Sequence, residues 1–245
     1  MKSLARAMKD MGEPFPFPYP LPADIRKGDL VMLLAAPKVG KSNIAVDWAV
    51  KVAGGGRPVL YITTDTRVSE QAVRVTANLS GEHKDAIKAD LDYWSGWLTG
   101  VGYPLRWSSA DITERHVMDL LEAERQYWGE YPAMVVVDVA FDLLEGEEGP
   151  GTARSVFRRL HAAAQRTGAV VLALHHVKGG DAAAGDQWVG MSDALYRVER
   201  VPEIIITAWR TPPDQVSIHL AKNRSGQDGQ TKVLRVDWGR ARVLG

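Results

Sequence analysis

Asp29-Leu30-Val31-Met32-Leu33-Leu34-Ala35-Ala36-Pro37-Lys38-Val39-Gly40-Lys41-Ser42 is the stretch whose reading decides the fold. The apolar run from Asp29 to Ala36 is unbroken, which predicts a strand covered on both faces rather than an alternating surface strand. From Ser42 to Ala53 the apolar residues recur at helical spacing. The turn between them carries Gly40-Lys41-Ser42. Strand, loop, Gly-Lys-Ser and helix form a phosphate cradle: successive loop N–H groups point inward, Gly40 lets the backbone approach, and the helix start adds the positive end of its dipole. On this reading Ala36, Pro37, Lys38, Val39, Gly40, Lys41, Ser42 and Asn43 bind the nucleotide. Lys41 reaches the β and γ phosphates, and the Ser42 hydroxyl goes to Mg²⁺. The usual template has Gly five positions before Gly40, where this chain has Ala35.

Outward from that loop, further apolar runs lie at Pro58 to Asp65, Met134 to Val139, Ala169 to His175 and Glu203 to Trp209. Helical patterns separate them at Ser69 to Leu79, Thr113 to Trp128 and Thr152 to Thr167, the last opening on a Thr152 cap and closing at Gly168. Strands alternating with helices predict an α/β fold with a predominantly parallel central sheet flanked by helices. Gln215 to Asn223 and Thr231 to Trp238, joined by Arg224 to Gln230, read as a C-terminal β-hairpin. Residues 1–24 form an N-terminal arm: Leu4, Met8 and Met11 at helical spacing, then a stiff stretch alternating Pro with Phe and Tyr. The arm can fold back on its own domain or dock on a neighbouring subunit. Residues 25–245 form the main domain. Gly81 to Ala110, with Trp94, Trp97 and Trp107, is assigned to core or subunit contact.

The 245 residues include 30 Lys plus Arg against 30 Asp plus Glu, so no global polybasic footprint exists and any nucleic-acid surface must be local. The charge is uneven. Residues 111–148 carry 11 acids against Arg115 and Arg125, whereas residues 151–245 carry 14 basic residues against 8 acids. The absence of Cys excludes disulfides, thiolate nucleophiles and Cys-ligated zinc, and suits a reducing cytoplasm. No apolar run is long enough to span a bilayer, so no membrane partner is expected.

Met134-Val135-Val136-Val137-Asp138 delivers one carboxylate at the end of a buried strand, where a second Mg²⁺ partner must sit. The expected metal residues are thus Ser42 and Asp138. Nearby Asp142, Glu145, Glu147 and Glu148 leave an alternative open: with Asp138 they could gather Mg²⁺ or Mn²⁺ for metal-dependent cleavage of forked or flapped DNA.

With these motifs in place, the chain from Ile25 to Trp238 resembles the RecA-type ATPases, in particular the DnaB and RadA helicase branch and single-domain phage and plasmid replication ATPases. That branch commonly has Ala where this chain has Ala35. Lys222-Asn223-Arg224-Ser225-Gly226 is similar to its motif in which a basic pair acts across a subunit boundary. The resemblance implies that Lys222 and Arg224 complete a neighbour's site, and that Asp65 takes the place of the water-activating acid. Adjacent strand residues face opposite ways, so only one of His175 and His176 can sense the γ-phosphate, and the spacing in the resemblance favours His176. The loop from Lys178 to Trp188 reads as too small-residued to pack. By resemblance it lines a ring's channel, with Lys178 on phosphates and Trp188 stacked on a base of single-stranded DNA. The implied protein is an ATP- and Mg²⁺-dependent helicase, a homo-oligomer and in the family pattern a hexamer, with active sites at subunit interfaces. It would act on single-stranded or forked DNA in replication or recombination. An ATP-switched DNA-binding or loading protein without unwinding is the second reading. The Ala, Gly and Arg richness suits a GC-rich phage genome, which would place the protein in a bacterial host's cytoplasm.

Overall fold

Every residue of β1 (Leu30–Ala35) is buried, as its unbroken apolar run requires. The structure, a computed structural model, describes residues 12–18, 21, 23–109, 113, 116–143, 149–179, 184–212 and 214–244. β1 is hydrogen-bonded in parallel to β5 (Val170–His176) on one side and to β6 (Ile204–Thr211) on the other. Beyond β5 lie β4 (Met134–Asp138), β2 (Val59–Thr63) and β3 (Leu105–Ser109), all parallel. Beyond β6 follow β7 (Gln215–Asn223), β8 (Thr231–Asp237) and β9 (Arg242–Leu244), all antiparallel. Among the described residues the sheet order is β3-β2-β4-β5-β1-β6-β7-β8-β9.

Helix placement follows from crossover handedness. The path from β1 through α1 (Lys41–Gly54) to β2 runs toward the β3 edge. So does the path from β2 to β3, through α2 (Val68–Ser80), α3 (Lys84–Ala89) and α4 (Leu91–Val101). The return paths through α5 (His116–Trp128) and α6 (Pro150–Thr167) run the other way. Right-handed crossovers in opposite directions put α1 and α2 on one face and α5 and α6 on the other. A parallel sheet wound in both directions leaves a crevice at the carboxyl ends of its strands, and ligands bind there. The core fills the space between the layers, with Trp48, Tyr61, Phe157, Leu33 and Leu34 fully buried.

The sheet and the hairpin match the sequence reading, and four elements exceed it. The short helices α3 and α4 and the edge strands β3 and β9 had no strong apolar period. Helix α6 starts at Pro150 with Gly149 as N-cap, so Thr152 is not the cap; Pro suits the first helical position because its missing N–H has no partner to lose there. The described residues of the Pro and aromatic stretch, 12–18 and 21, fold back onto their own domain. Phe15 and Leu21 are buried, the Phe15 N–H donates to the Ile25 carbonyl at 2.8 Å, and Phe17 meets Trp48 edge-on at 5.2 Å. The expected helix at Met1 to Met11 lies outside the described residues.

Candidate nucleotide-binding site

At the carboxyl end of β1 the chain turns through Pro37, Lys38 and Val39 into α1. Lys38 and Gly40 both hold positive φ, 64° and 106°. Gly40 is required on two counts: its backbone is left-handed, and a Cβ there would come within 2.3 Å of the Trp238 ring. The loop borders a cavity of about 300 Å³ lined by Pro37, Lys38, Gly40, Lys41, Ser42 and Asn43. Asp65, Arg74, Asp138, Val139, His176, Arg210 and Trp238 complete its wall.

Lys41 is buried, and its Nζ donates to the carbonyls of Ala35 at 2.9 Å and Ala36 at 3.0 Å. His176 Nδ1 lies 3.4 Å from the same nitrogen. Burial pushes the Lys41 ammonium down to about 8, against the pull of Asp138 and Asp65. Asp138 ends β4 and is almost wholly buried. Burial pushes its carboxyl up, while hydrogen bonds from Tyr61 and Ser42 pull it down.

His175 and His176 divide as strand alternation requires. His176 faces the cavity, and burial followed by the nearby Lys41 charge lowers its basicity. His175 is buried on the opposite face, its Nε2 2.9 Å from the Leu195 carbonyl, with Phe157 edge-on at 5.1 Å. Burial pushes it down to about 4, so it is neutral at neutral pH. Asp65 lies two residues beyond the end of β2, exposed at the cavity rim, accepting from Thr66 Oγ1 at 2.8 Å.

Four cavity residues were missed by sequence reasoning: Val139, next to Asp138, and Arg74, Arg210 and Trp238. Arg74 sits inside α2, and Arg210 and Trp238 come from strand ends far along the chain. Only the sheet order brings them to β1. Lining the cavity are four cations, Lys38, Lys41, Arg74 and Arg210, against the carboxylates of Asp65 and Asp138. That excess of positive charge fits a polyphosphate. The Ser42 hydroxyl hydrogen-bonded to the Asp138 carboxylate supplies hard oxygen donors of the kind Mg²⁺ prefers.

The other expected site residues lie elsewhere. Lys222 and Arg224 follow β7 to the opposite end of the sheet: Asn223 pairs with Ile204, which pairs with Val31 near the start of β1. Lys222 Nζ donates to the carbonyls of Glu199 and Pro202, and Arg224 Nη1 to Glu203 Oε1 at 2.9 Å. Lys178 Nζ donates to the Ser192 carbonyl at 3.1 Å. Trp188 is 59% exposed, with the His219 ring 5.9 Å away. One expectation about its loop is corrected. Gly185 is buried, its carbonyl accepts from the Arg210 N–H at 2.7 Å, and a Cβ there would stand 3.1 Å from Val39. At Gly185 the lack of a side chain lets the chain pack on the phosphate loop, while Ala184, Asp186, Gln187 and Trp188 are exposed; residues 180–183 lie outside the described part. Asp142 accepts from Thr64 Oγ1 at 3.0 Å, while Glu145, Glu147 and Glu148 lie outside the described residues.

A nine-stranded, mainly parallel sheet with this loop, Lys41, Ser42 and Asp138 at one carboxyl-end crevice defines a RecA-type P-loop ATPase domain. The chain belongs to the family described as AAA domain, whose model matches residues 5–182. It is 29% identical over 225 residues to the Gene 65 protein of Mycobacterium phage L5, covering 83% of this chain and 79% of that protein. The Gene 65 protein of Mycobacterium phage D29 is 27% identical over 220 residues, covering 81% and 89%. The fold matches the ATPase domain of G40P with a TM-score of 0.75 at 18% identity, over 90% of this chain and 86% of that one. It also matches a DnaB-like replicative helicase studied with primase, with a TM-score of 0.76 at 18% identity, over 89% of this chain. This chain spans only 57% of that helicase. No helix among the described residues is long and apolar enough to cross a membrane.

Proposed function

We propose that this protein hydrolyses ATP with Mg²⁺ and uses the energy to move on DNA in replication or recombination, as a DnaB-like helicase built from a ring of identical subunits. The observation that carries the reading is the convergence of Lys41, Ser42, Asp138 and His176 on one cavity at the crevice of a DnaB-type fold.

Within that reading each residue has a task. Lys41 exchanges its two carbonyl partners for the β and γ phosphates, and the loop N–H groups orient the phosphate tail. Ser42 and Asp138 would hold Mg²⁺, which neutralises charge building on the transferred phosphoryl group. Asp65 at the rim orients the attacking water and takes its proton. His176, beside Lys41, reads whether the γ-phosphate is present. Trp238 offers the wall beside the phosphate loop.

The position of Arg224 supports a shared site. It lies a strand's length, roughly 17 Å, from the phosphate loop of its own chain, out of reach of that site, as an arginine serving a neighbour would be. An arginine supplied by a neighbour accelerates phosphoryl transfer by about 10³ to 10⁵. Lys178 and Trp188 are assigned to the strand in the channel, where a ring concentrates a few cations from a neutral monomer.

ATP turnover with and without single-stranded DNA, strand displacement on a forked duplex, and native mass with and without an ATP analogue test the proposal together. Stimulated turnover, displacement and an ATP-dependent ring are expected. Stimulation without displacement would instead select the ATP-switched binding protein.

A further inference from the structure

Tyr61 is fully buried in β2, its ring 4.2 Å from that of Trp107 on β3. Its hydroxyl crosses to β4 and donates to Asp138 Oδ2 at 2.8 Å. The register explains the reach. Thr63, not Tyr61, is the direct neighbour of Asp138, and Tyr61 sits two residues back on the same face. Two residues of strand are about 6.6 Å, close to the span of a phenol from Cα to oxygen. The amide of Gln71, buried on α2, approaches the same oxygen at 3.4 Å. Both donors fall on Oδ2, which leaves Oδ1 as the oxygen without them. Packing alone would be met by phenylalanine, because burying a hydroxyl costs free energy unless it is hydrogen-bonded.

We infer that Tyr61 is a positioning residue for Asp138: its hydroxyl occupies one carboxylate oxygen and turns the other toward Ser42 and the Mg²⁺ of bound nucleotide. The inference rests on the reading of Asp138 as a Mg²⁺ residue. Removing an outer partner that orients a ligating carboxylate typically costs about 10- to 100-fold in metal affinity.

The test uses the full chain and a fluorescent ADP analogue, titrated with MgCl₂ and also measured in EDTA. Tyr61→Phe should raise the Mg²⁺ concentration for half-maximal enhancement of binding by about tenfold. It should leave affinity in EDTA unchanged and restore near wild-type kcat at saturating Mg²⁺. Asp138→Asn should lose the enhancement. Trp107→Phe, which loosens the ring's seat without touching the hydroxyl, should lower the unfolding midpoint and leave the Mg²⁺ curve in place. A Tyr61→Phe curve lying on the wild-type curve while Asp138→Asn is shifted would overturn the inference and spare the Asp138 reading. Asp138→Asn lying on the wild-type curve would overturn both. A Trp107→Phe shift as large as that of Tyr61→Phe would reduce Tyr61 to packing.

Discussion

Lys41 is a buried cation held by two carbonyl oxygens, with His176 Nδ1 3.4 Å away. Neutral carbonyls offset the burial of that charge less than a polyanion would. Lys41→Ala should therefore lower ATP turnover by about 100-fold or more while the unfolding midpoint holds, read by phosphate release and by thermal denaturation. An unchanged rate would remove the phosphate assignment. Asp29 offers a different residue-scale test, away from the cavity. Burial first, and then Glu203 and Asp24, push its carboxyl up to about 6, against a hydrogen bond from the Arg26 N–H. A carboxyl raised on folding binds more protons in the native state, so its charge costs stability above about pH 6, and the cost fades as pH falls toward the unfolded value. Asp29→Asn should be more stable than wild type at pH 8, and the two should converge by about pH 4. Denaturant titrations across that range decide it, and a constant difference would contradict the assignment.

At the scale of elements, the hairpin of β7 and β8 has two working ends. One end carries Trp238 to the phosphate loop, and the other carries Lys222 and Arg224 to Glu203 and the 199–202 carbonyls. Arg224→Ala should reduce turnover by about 10³-fold while sparing nucleotide affinity. Mixing it with Lys41→Ala subunits should restore part of the activity, because each lacks what the other provides. A mixture as slow as its components would refute the shared site. Helix α4 poses a separate question. Leu91, Tyr93 and Val101 are 57%, 58% and 42% exposed, and no residue of the helix is fully buried. The sequence reading assigned this region to core or subunit contact, and the exposure removes the core half of that assignment for Leu91, Tyr93 and Val101. Leu91→Glu should leave the monomer's unfolding midpoint in place yet weaken assembly in native mass spectra. Undiminished assembly would free this face of that role.

For the molecule as a whole, equal numbers of acids and bases leave no net field to attract DNA. Any attraction to a polyanion must come from local placement of charge. The cavity itself gathers four cations onto a neutral protein. Such focusing is a property of the sheet order, which draws Arg74 from α2, Arg210 from β6 and Trp238 from the turn after β8 to the end of β1.

The sequence alone determined the parallel strands, the phosphate loop and the strand-end carboxylate, because each is written in neighbouring residues: an apolar run, a Gly-Lys-Ser turn, an Asp closing a valine strand. Alternation along a strand allowed only one of His175 and His176 to face the nucleotide, and the resemblance, not the alternation, favoured His176. The sequence left open whether the Pro and aromatic arm folds back, and it missed α3, α4, β3 and β9, whose patterns are short and weakly periodic. The Tyr61 hydroxyl on Asp138, and the arrival of Arg74, Arg210 and Trp238 in the cavity, were decided only by tertiary structure. These pairings join residues up to two hundred positions apart, and nothing local encodes which strands lie side by side. Packing the apolar faces of helices against both sides of one sheet settles that order, and the site forms where the order reverses.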